Sequence, residues 1–271
     1  MKISFLINTR NQAAFLDRAI KSCIKQGVKD YEIIVSDLSI KKNFKIINKY
    51  KKKKNFFYIS LKEQFAYPTQ NQLYAIKKSL EICNGSYIFL LDGDDFFKKE
   101  KIKLITKEMR NKNKNFIMDT PLLLNEKNKD IKKITKINIF KNSILYKIFI
   151  NKWPAITCTS CIAIKKKNLD TFFDSNPFAY KYLAIDIQLS IFFLLRSQFF
   201  LSKKELTIKS KNNNNLDRKY SNIFKKEYWQ RRMEQHYYFF KNNKKYTLFK
   251  GFDFYLTKII FKLLITKNNN Y

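Results

Sequence analysis

Three aspartates fall within four residues at Asp92-Gly93-Asp94-Asp95, directly after the apolar run Ser86-Tyr87-Ile88-Phe89-Leu90-Leu91. Carboxylates this close repel one another, so some must hold protons unless a cation neutralises them. Hard divalent ions prefer oxygen ligands, and Mg²⁺ typically takes one or two carboxylates together with substrate phosphates. Asp92, Asp94 and Asp95 are therefore candidate ligands for a hard divalent ion, with Gly93 allowing a tight turn between them. A solvated Asp-Gly turn is the ordinary alternative. Three Asp at the end of a core strand is a less ordinary composition, in a chain with 22 acidic residues against 55 basic ones. Asp37 follows another apolar run, Tyr31-Glu32-Ile33-Ile34-Val35, and is a candidate acceptor for a base N–H or a ribose hydroxyl.

Two periodicities alternate around these residues. Ile3 to Ile7 is a short apolar run, read as a buried strand. From Gln12 to Gln26 the apolar Phe15, Leu16, Ala19, Ile20, Cys23 and Ile24 make one helix face, closed by Gly27. Strands follow at Tyr31 to Val35 and Phe56 to Ile59, with a weaker helical pattern between them. Pro68 opens a helix over roughly Gln70 to Cys83, and the strand before Asp92 comes next. Such alternation predicts an α/β fold, a mainly parallel central sheet flanked by helices. Sheets of this kind bind ligands beyond the carboxyl ends of their strands. That singles out Asn8-Thr9-Arg10-Asn11, Ser36-Asp37 and the acidic turn.

Past Asn111 the pattern weakens. Lys112 to Asn142 reads as a Lys- and Asn-rich loop, Thr159 to Ile164 as a strand, and Phe178 to Leu195 as a helix carrying Asp186. Leu206 to Ile208 reads as a late strand and Lys211 to Asn215 as a polar loop. From Asn222 the chain reads as helical and amphipathic. The organisation expected is one domain over 1–215, in two halves that meet at about 110, then a basic helical region over 216–271.

The net charge of +33 suggests a nucleic acid or an anionic membrane as partner. Compositional bias explains it equally well, since Lys and Asn are over-used along the whole chain and an AT-rich coding sequence has that effect. A nucleic-acid-binding role accounts for the charge but not for the carboxylate cluster, and no zinc-finger or helix-turn-helix signature is present. A nucleotidyltransferase normally shows a Gly-rich phosphate loop near the N-terminus, and Asn8 to Gln12 contains no glycine. Cys158 and Cys161 lack the second ligand pair of a structural zinc site. Lys2 and the strand pattern after it do not read as a secretory leader, so a reducing cytoplasm with free thiols is expected. His236, alone of its type, reads as structural. Nothing in the sequence fixes an oligomeric state.

Four stretches together carry a resemblance: Ile3 to Asn11 with its helix, Tyr31 to Asp37, Asn71 through Asn84-Gly85-Ser86-Tyr87, and Phe89 to Asp95. In order and spacing they resemble glycosyltransferase family 2 of the bacterial type, with the GT-A fold. The resemblance implies a nucleotide-sugar donor, a UDP-sugar, and a hydroxyl acceptor on a glycan or lipid-linked chain in surface polysaccharide or oligosaccharide synthesis. It implies donor-binding roles for Thr9, Asn11, Asp37, Asn71, Asp92 and Gly93. Asp94 would help hold Mn²⁺ or Mg²⁺ on the donor diphosphate, with Asp92 and Asp95 beside it, and the halves 1–110 and 111–215 would serve donor and acceptor. Trp153 to Ser160 resembles the acceptor-side segment, and Asp186 the catalytic base of inverting members. The chain departs from the family pattern at Leu38, Gln70 and Ile185, where an acid, an Arg and an acid are usual. The apolar C-terminal stretch from Phe252 to Ile265, with Lys258 and Lys262 four apart, is too short and too charged to span a bilayer. It suits equally a helix packed on the catalytic domain and a peripheral position on the inner face of the cell membrane, against anionic lipid.

Overall fold

The computed structural model describes residues 2–133, 158–211, 220, 222–243 and 251–266. Its centre is a seven-stranded sheet in the order β10-β6-β9-β4-β1-β2-β3. The strands are β1 (Ile3–Thr9), β2 (Tyr31–Asp37), β3 (Phe56–Ser60), β4 (Tyr87–Asp92), β6 (Phe116–Met118), β9 (Ile162–Lys165) and β10 (Phe199–Leu201). β1 pairs parallel with both β2 and β4, and β3 extends the same direction. β9 runs antiparallel to β4 and to β6, while β10 is parallel to β6. Every residue of β1 is buried, as expected of a strand covered on both faces, which reads as a continuous apolar run rather than an alternation.

Helices α1 (Ala13–Ile24), α2 (Phe44–Ile47), α3 (Pro68–Ile82), α4 (Lys101–Asn111), α5 (Lys166–Asp174) and α6 (Ile185–Leu194) connect and flank these strands. Leu16, Ile20, Ile102 and Ile105 pack on one sheet face, and Leu73, Ile76, Leu169 and Leu189 on the other. A second sheet of four strands, β5-β11-β7-β8, comprises β5 (Phe96–Phe97), β11 (Thr207–Lys211), β7 (Pro121–Asn125) and β8 (Ile131–Lys133). The expected α/β architecture is what folds.

Several sequence expectations change in detail. The loop expected from Lys112 holds three short strands, β6, β7 and β8; its residues from 134 on lie outside the described set, as do Trp153 to Thr157. The strand expected from Thr159 begins instead as a 3-10 turn, Thr159–Cys161, and becomes β9 only at Ile162. Cys158 and Cys161 are buried free thiols. The helix expected from Phe178 begins at Ile185, because Glu234 accepts hydrogen bonds from the backbone N–H groups of Lys181, Tyr182 and Leu183 (2.7–2.9 Å) and holds them out of a helix. Glu234 belongs to α7 (Lys226–Asn242), against which α8 (Phe252–Thr266) packs. Tyr238 and Phe239 of α7 are part of the main core. The boundary expected at 215/216 lies outside the described residues. His236 is buried, stacked on Phe240 and near Asp253, away from the cavity described next. Among the described residues no helix is long and apolar enough to cross a membrane.

Candidate active site

The parallel register brings the strand ends together. Asn8 of β1 sits opposite Asp92 of β4 and Ser36 of β2, and Thr9 sits opposite Asp37. A cavity opens above this edge. Asn8, Thr9, Asp92, Asp94 and Asp95 form one side of it, and Thr69, Asn71 and Asp186 the side toward α3 and α6.

Gly93 is where the acidic turn meets the β1–α1 loop. Its N–H donates to the Asn8 carbonyl at 2.8 Å. A Cβ at Gly93 would come within 2.8 Å of Thr9 Cβ and 2.7 Å of Thr9 Oγ1, so only glycine allows this approach. Asn8 Nδ2 and Gln72 Nε2 both donate to Asp92 Oδ1, at 2.6 and 2.9 Å. Even so, burial and then the charge of Asp94 push the Asp92 carboxyl up to about 7. The same causes in the same order, with Asp92 added, raise Asp95 well above the usual carboxylate range. Asn8 Oδ1 and Thr9 Oγ1 are buried on this wall with no hydrogen-bond partner.

Residues far apart in sequence hold the turn from below. Asp95 Oδ2 accepts from Ser160 Oγ at 2.6 Å and Oδ1 from the Ser210 N–H at 2.8 Å. Asp95, expected as a metal ligand, thus has both oxygens engaged by the protein and anchors the turn. The Asp94 carbonyl accepts from Arg18 Nη2 and Ser210 Oγ, and Asp94 lines the cavity. Beneath Ser160 lies a fully buried ion pair: Lys101 Nζ is 2.7 Å from Asp119 Oδ1 and also donates to the Ser160 carbonyl and Thr207 Oγ1. Arg18, Gln72, Lys101, Asp119, Thr207 and Ser210 were not legible as site residues in the sequence, and Ser160 was legible only as the end of the acceptor-side segment.

Two expected donor-binding residues are occupied otherwise. Asp37 is fully buried, and its carboxylate accepts from the Ser39 N–H, the Asn43 N–H and Nδ2, and the Tyr58 hydroxyl. Three of these donors meet Oδ2 and one meets Oδ1, so Asp37 holds the 39–43 turn, while the neighbouring Leu38 lines the cavity. Asn11, at φ 55°, ties its loop to Ser39 and Ile40 and does not line the cavity. Asn71 lines it, with its amide engaged by residues 64 and 65.

Asp186 lies in the first turn of α6, 8% exposed, on the cavity wall. Its Oδ1 accepts the Ile187 N–H at 2.9 Å, and the unpaired N–H groups of a first turn favour a negative charge there. A hard divalent ion fits the acidic turn by two observations: the donors are carboxylate oxygens only, and burial with mutual repulsion makes their ionised state costly unless a cation joins them. Among the described residues no three His, Cys, Asp or Glu side chains converge to hold an ion alone, so ligand phosphates would have to complete its shell.

A profile of glycosyl transferase family 2 matches residues 4–173, more than half of the chain, and covers the acidic turn and the loops beside it. The chain belongs to glycosyl transferase family 2. An uncharacterized glycosyltransferase of Mycoplasma genitalium is 31% identical over 113 residues, which are 40% of this chain and 37% of that protein. The poly(ribitol-phosphate) beta-N-acetylglucosaminyltransferase TarS of Staphylococcus aureus is 26% identical over 106 residues, 38% of this chain and 18% of TarS. The chain thus spans less than half the length of these curated relatives. Among solved structures, S. aureus TarS 1–349 in complex with UDP-GlcNAc has a TM-score of 0.59 at 14% identity, covering 89% of this chain and 67% of that one. A mannosyltransferase of Pyrobaculum calidifontis in complex with GDP-Man and Mn²⁺ has 0.61 at 8% identity, covering 89% and 64%. At these identities the likeness is one of fold, and the fold is the GT-A fold expected for family 2.

Proposed function

We propose that this family 2 enzyme moves a sugar from a UDP-sugar to a hydroxyl of a glycan or lipid-linked acceptor, with inversion at the anomeric carbon. The observation that carries the reading is that Asp92 and Asp94 face one cavity together with Asp186, which comes from a different element. Asp92 and Asp94 would hold Mn²⁺ or Mg²⁺, whose chemistry is Lewis-acid neutralisation of charge on the departing diphosphate. Thr9 and Asn8 offer buried polar atoms beside it for the nucleoside. Asp186 takes the acceptor proton, a role worth about 10²–10⁴-fold in rate. Complexes of TarS with UDP-GlcNAc support a uridine nucleotide, and the poly(ribitol-phosphate) transferase activity named for TarS supports a cell-surface polymer as acceptor. The mannosyltransferase with GDP-Man and Mn²⁺ makes a guanosine nucleotide the alternative to exclude.

The experiment is a panel of UDP- and GDP-sugars with Mn²⁺, followed by release of the nucleoside diphosphate. Wild type should turn over one uridine donor. Asp186→Asn should lose activity by about 10²-fold or more while its donor affinity stays within a factor of two. Loss of donor affinity together with turnover would remove Asp186 from the acceptor side.

A membrane position is favoured by α8. Phe252, Tyr255, Ile259 and Leu263 are 46–63% exposed at helical spacing, with Lys258 and Lys262 also exposed. Phe254, which the sequence places in the same apolar stretch, packs inward against α7 instead. An exposed apolar stripe bordered by lysines suits the headgroup region of an anionic bilayer. Co-sedimentation should find the protein with acidic vesicles and not with neutral ones, and Tyr255→Glu with Ile259→Glu should release it. Equal sedimentation of the double variant would put the contact elsewhere.

A further inference from the structure

The cavity has a wall that neither the acidic turn nor Asp186 accounts for. It is formed by Tyr220 and Arg231. Tyr220 is 4% exposed, and its hydroxyl has no hydrogen-bond partner. A buried hydroxyl left unpaired costs stability unless something satisfies it. Arg231 lies with its guanidinium carbon 4.8 Å from the centre of the Tyr220 ring, and its Nε is likewise buried without a partner. Two buried donors therefore border one cavity with no protein acceptor to meet them.

The other cations around the cavity are accounted for. Arg10 pairs with Glu63, and Lys209 lies in the field of Asp92 and Asp95, lowering the cost of their charge. Glu234, one turn along α7 from Arg231, is committed to the backbone N–H groups of residues 181–183. That clamp also locates Arg231. It fastens α7 to the segment that leads directly into Ala184 and Asp186, and Tyr220 contacts Tyr182 of the same segment at 6.4 Å between rings. Arg231 and Tyr220 thus belong to the Asp186 wall rather than to the β4 turn.

We propose that Tyr220 and Arg231 form an oxyanion subsite for the acceptor, so that the hydroxyl presented to Asp186 belongs to a molecule carrying a phosphate or a carboxylate. This rests on the reading of Asp186 as the acceptor-side base. A guanidinium presents a planar fork of donors that matches the paired oxygens of either group, and a phenol supplies one more donor to the same group. A neutral glycan offers only uncharged oxygens to the Arg231 Nε–H and the Tyr220 hydroxyl.

The test titrates glycerol 3-phosphate, glycerate and glycerol into wild type, Arg231→Gln and Tyr220→Phe by calorimetry, with and without saturating UDP and Mn²⁺. Tyr220→Phe keeps the ring packing, so it reads the hydroxyl even if Arg231→Gln weakens the fold. The expected result is that wild type prefers one of the two anions over glycerol, phosphate or carboxylate naming the group. Arg231→Gln should weaken that anion by about tenfold, as a charge-assisted hydrogen bond commands, and Tyr220→Phe by a smaller factor, with UDP affinity unchanged in both. The subsite is wrong if the anions bind no better than glycerol or bind all three proteins alike. It is also wrong if Arg231→Gln weakens UDP instead, which would assign Arg231 to the donor diphosphate. Failure of wild type to bind UDP contradicts the donor reading, and the nucleotide-free titration then judges the oxyanion subsite alone.

Discussion

Two buried carboxylate groupings sit at opposite ends of the same parallel sheet and differ in how they are satisfied. At the amino edge, Glu32 of β2 is 1% exposed and accepts from Ser4 Oγ and from the N–H groups of Asn84 and Gly85, with Lys2 3.1 Å away. Burial would raise its carboxyl, but these donors outweigh burial and hold it below the usual range. Gly85 makes this possible, since a Cβ there would lie 2.6 Å from the Ser4 backbone nitrogen. At the carboxyl edge, Asp92 also has two donors, yet burial and the neighbouring Asp94 push it up to about 7. The difference teaches that burial alone does not mark a functional acid. Glu32 has three donors on Oε1 and the Lys2 ammonium beside Oε2, all supplied by the protein. The acidic turn keeps carboxyls raised by burial and mutual repulsion, which is the state the proposed divalent cation would relieve.

Breaking the turn should have the larger consequence. Asp94→Asn is expected to lower transfer by about 10²–10³-fold, the scale of removing an electrostatic stabiliser of the transition state. It should leave the melting temperature equal or higher, because one member of a repelling set is gone. Undiminished transfer by the folded variant would undo the assignment. The two edges should also answer pH with opposite sign. A raised carboxyl binds more protons folded than unfolded, so metal-free protein should lose stability as pH rises from about 4 to about 7. Glu32, being depressed, contributes stability that is complete above its ordinary value of about 4.3 and is lost as pH falls below it. Melts recorded across both intervals, with and without Mn²⁺, separate the two, and Mn²⁺ should recover only the upper loss.

Glu32→Gln is the smaller perturbation. It leaves buried N–H groups facing an amide instead of a carboxylate, for a loss of about 1–3 kcal/mol in denaturant unfolding. Donor affinity and turnover should not change. A change in kinetics without a change in stability would mean the two edges are coupled in a way the hydrogen bonds do not show.

What could be read in the sequence follows the same division. The strand ends were legible because β1, β2 and β4 are buried runs and the polar residues after them have no place in a core. The supports of the turn were not. Lys101 is fully buried against Asp119, but among 55 basic residues nothing in its neighbourhood distinguishes it from a surface lysine. Ser160 and Ser210 meet Asp95 across 65 and 115 residues, a distance no local pattern spans. The donors that Asn43 and Tyr58 bring to Asp37 lie outside its own strand, so nothing beside it in the sequence shows them. β8 was hidden because all three of its residues are exposed and carry no apolar period.

The central claim, that Asp92 and Asp94 form with a divalent cation the receptor for a nucleoside diphosphate, is tested most directly by calorimetric titration of UDP and GDP. Wild type and Asp94→Asn would each be titrated with and without Mn²⁺. The expected result is that one nucleotide binds wild type tightly only with Mn²⁺, and that Asp94→Asn loses the metal-dependent part. Equal affinity with and without Mn²⁺, or a metal effect that survives in Asp94→Asn, would contradict it.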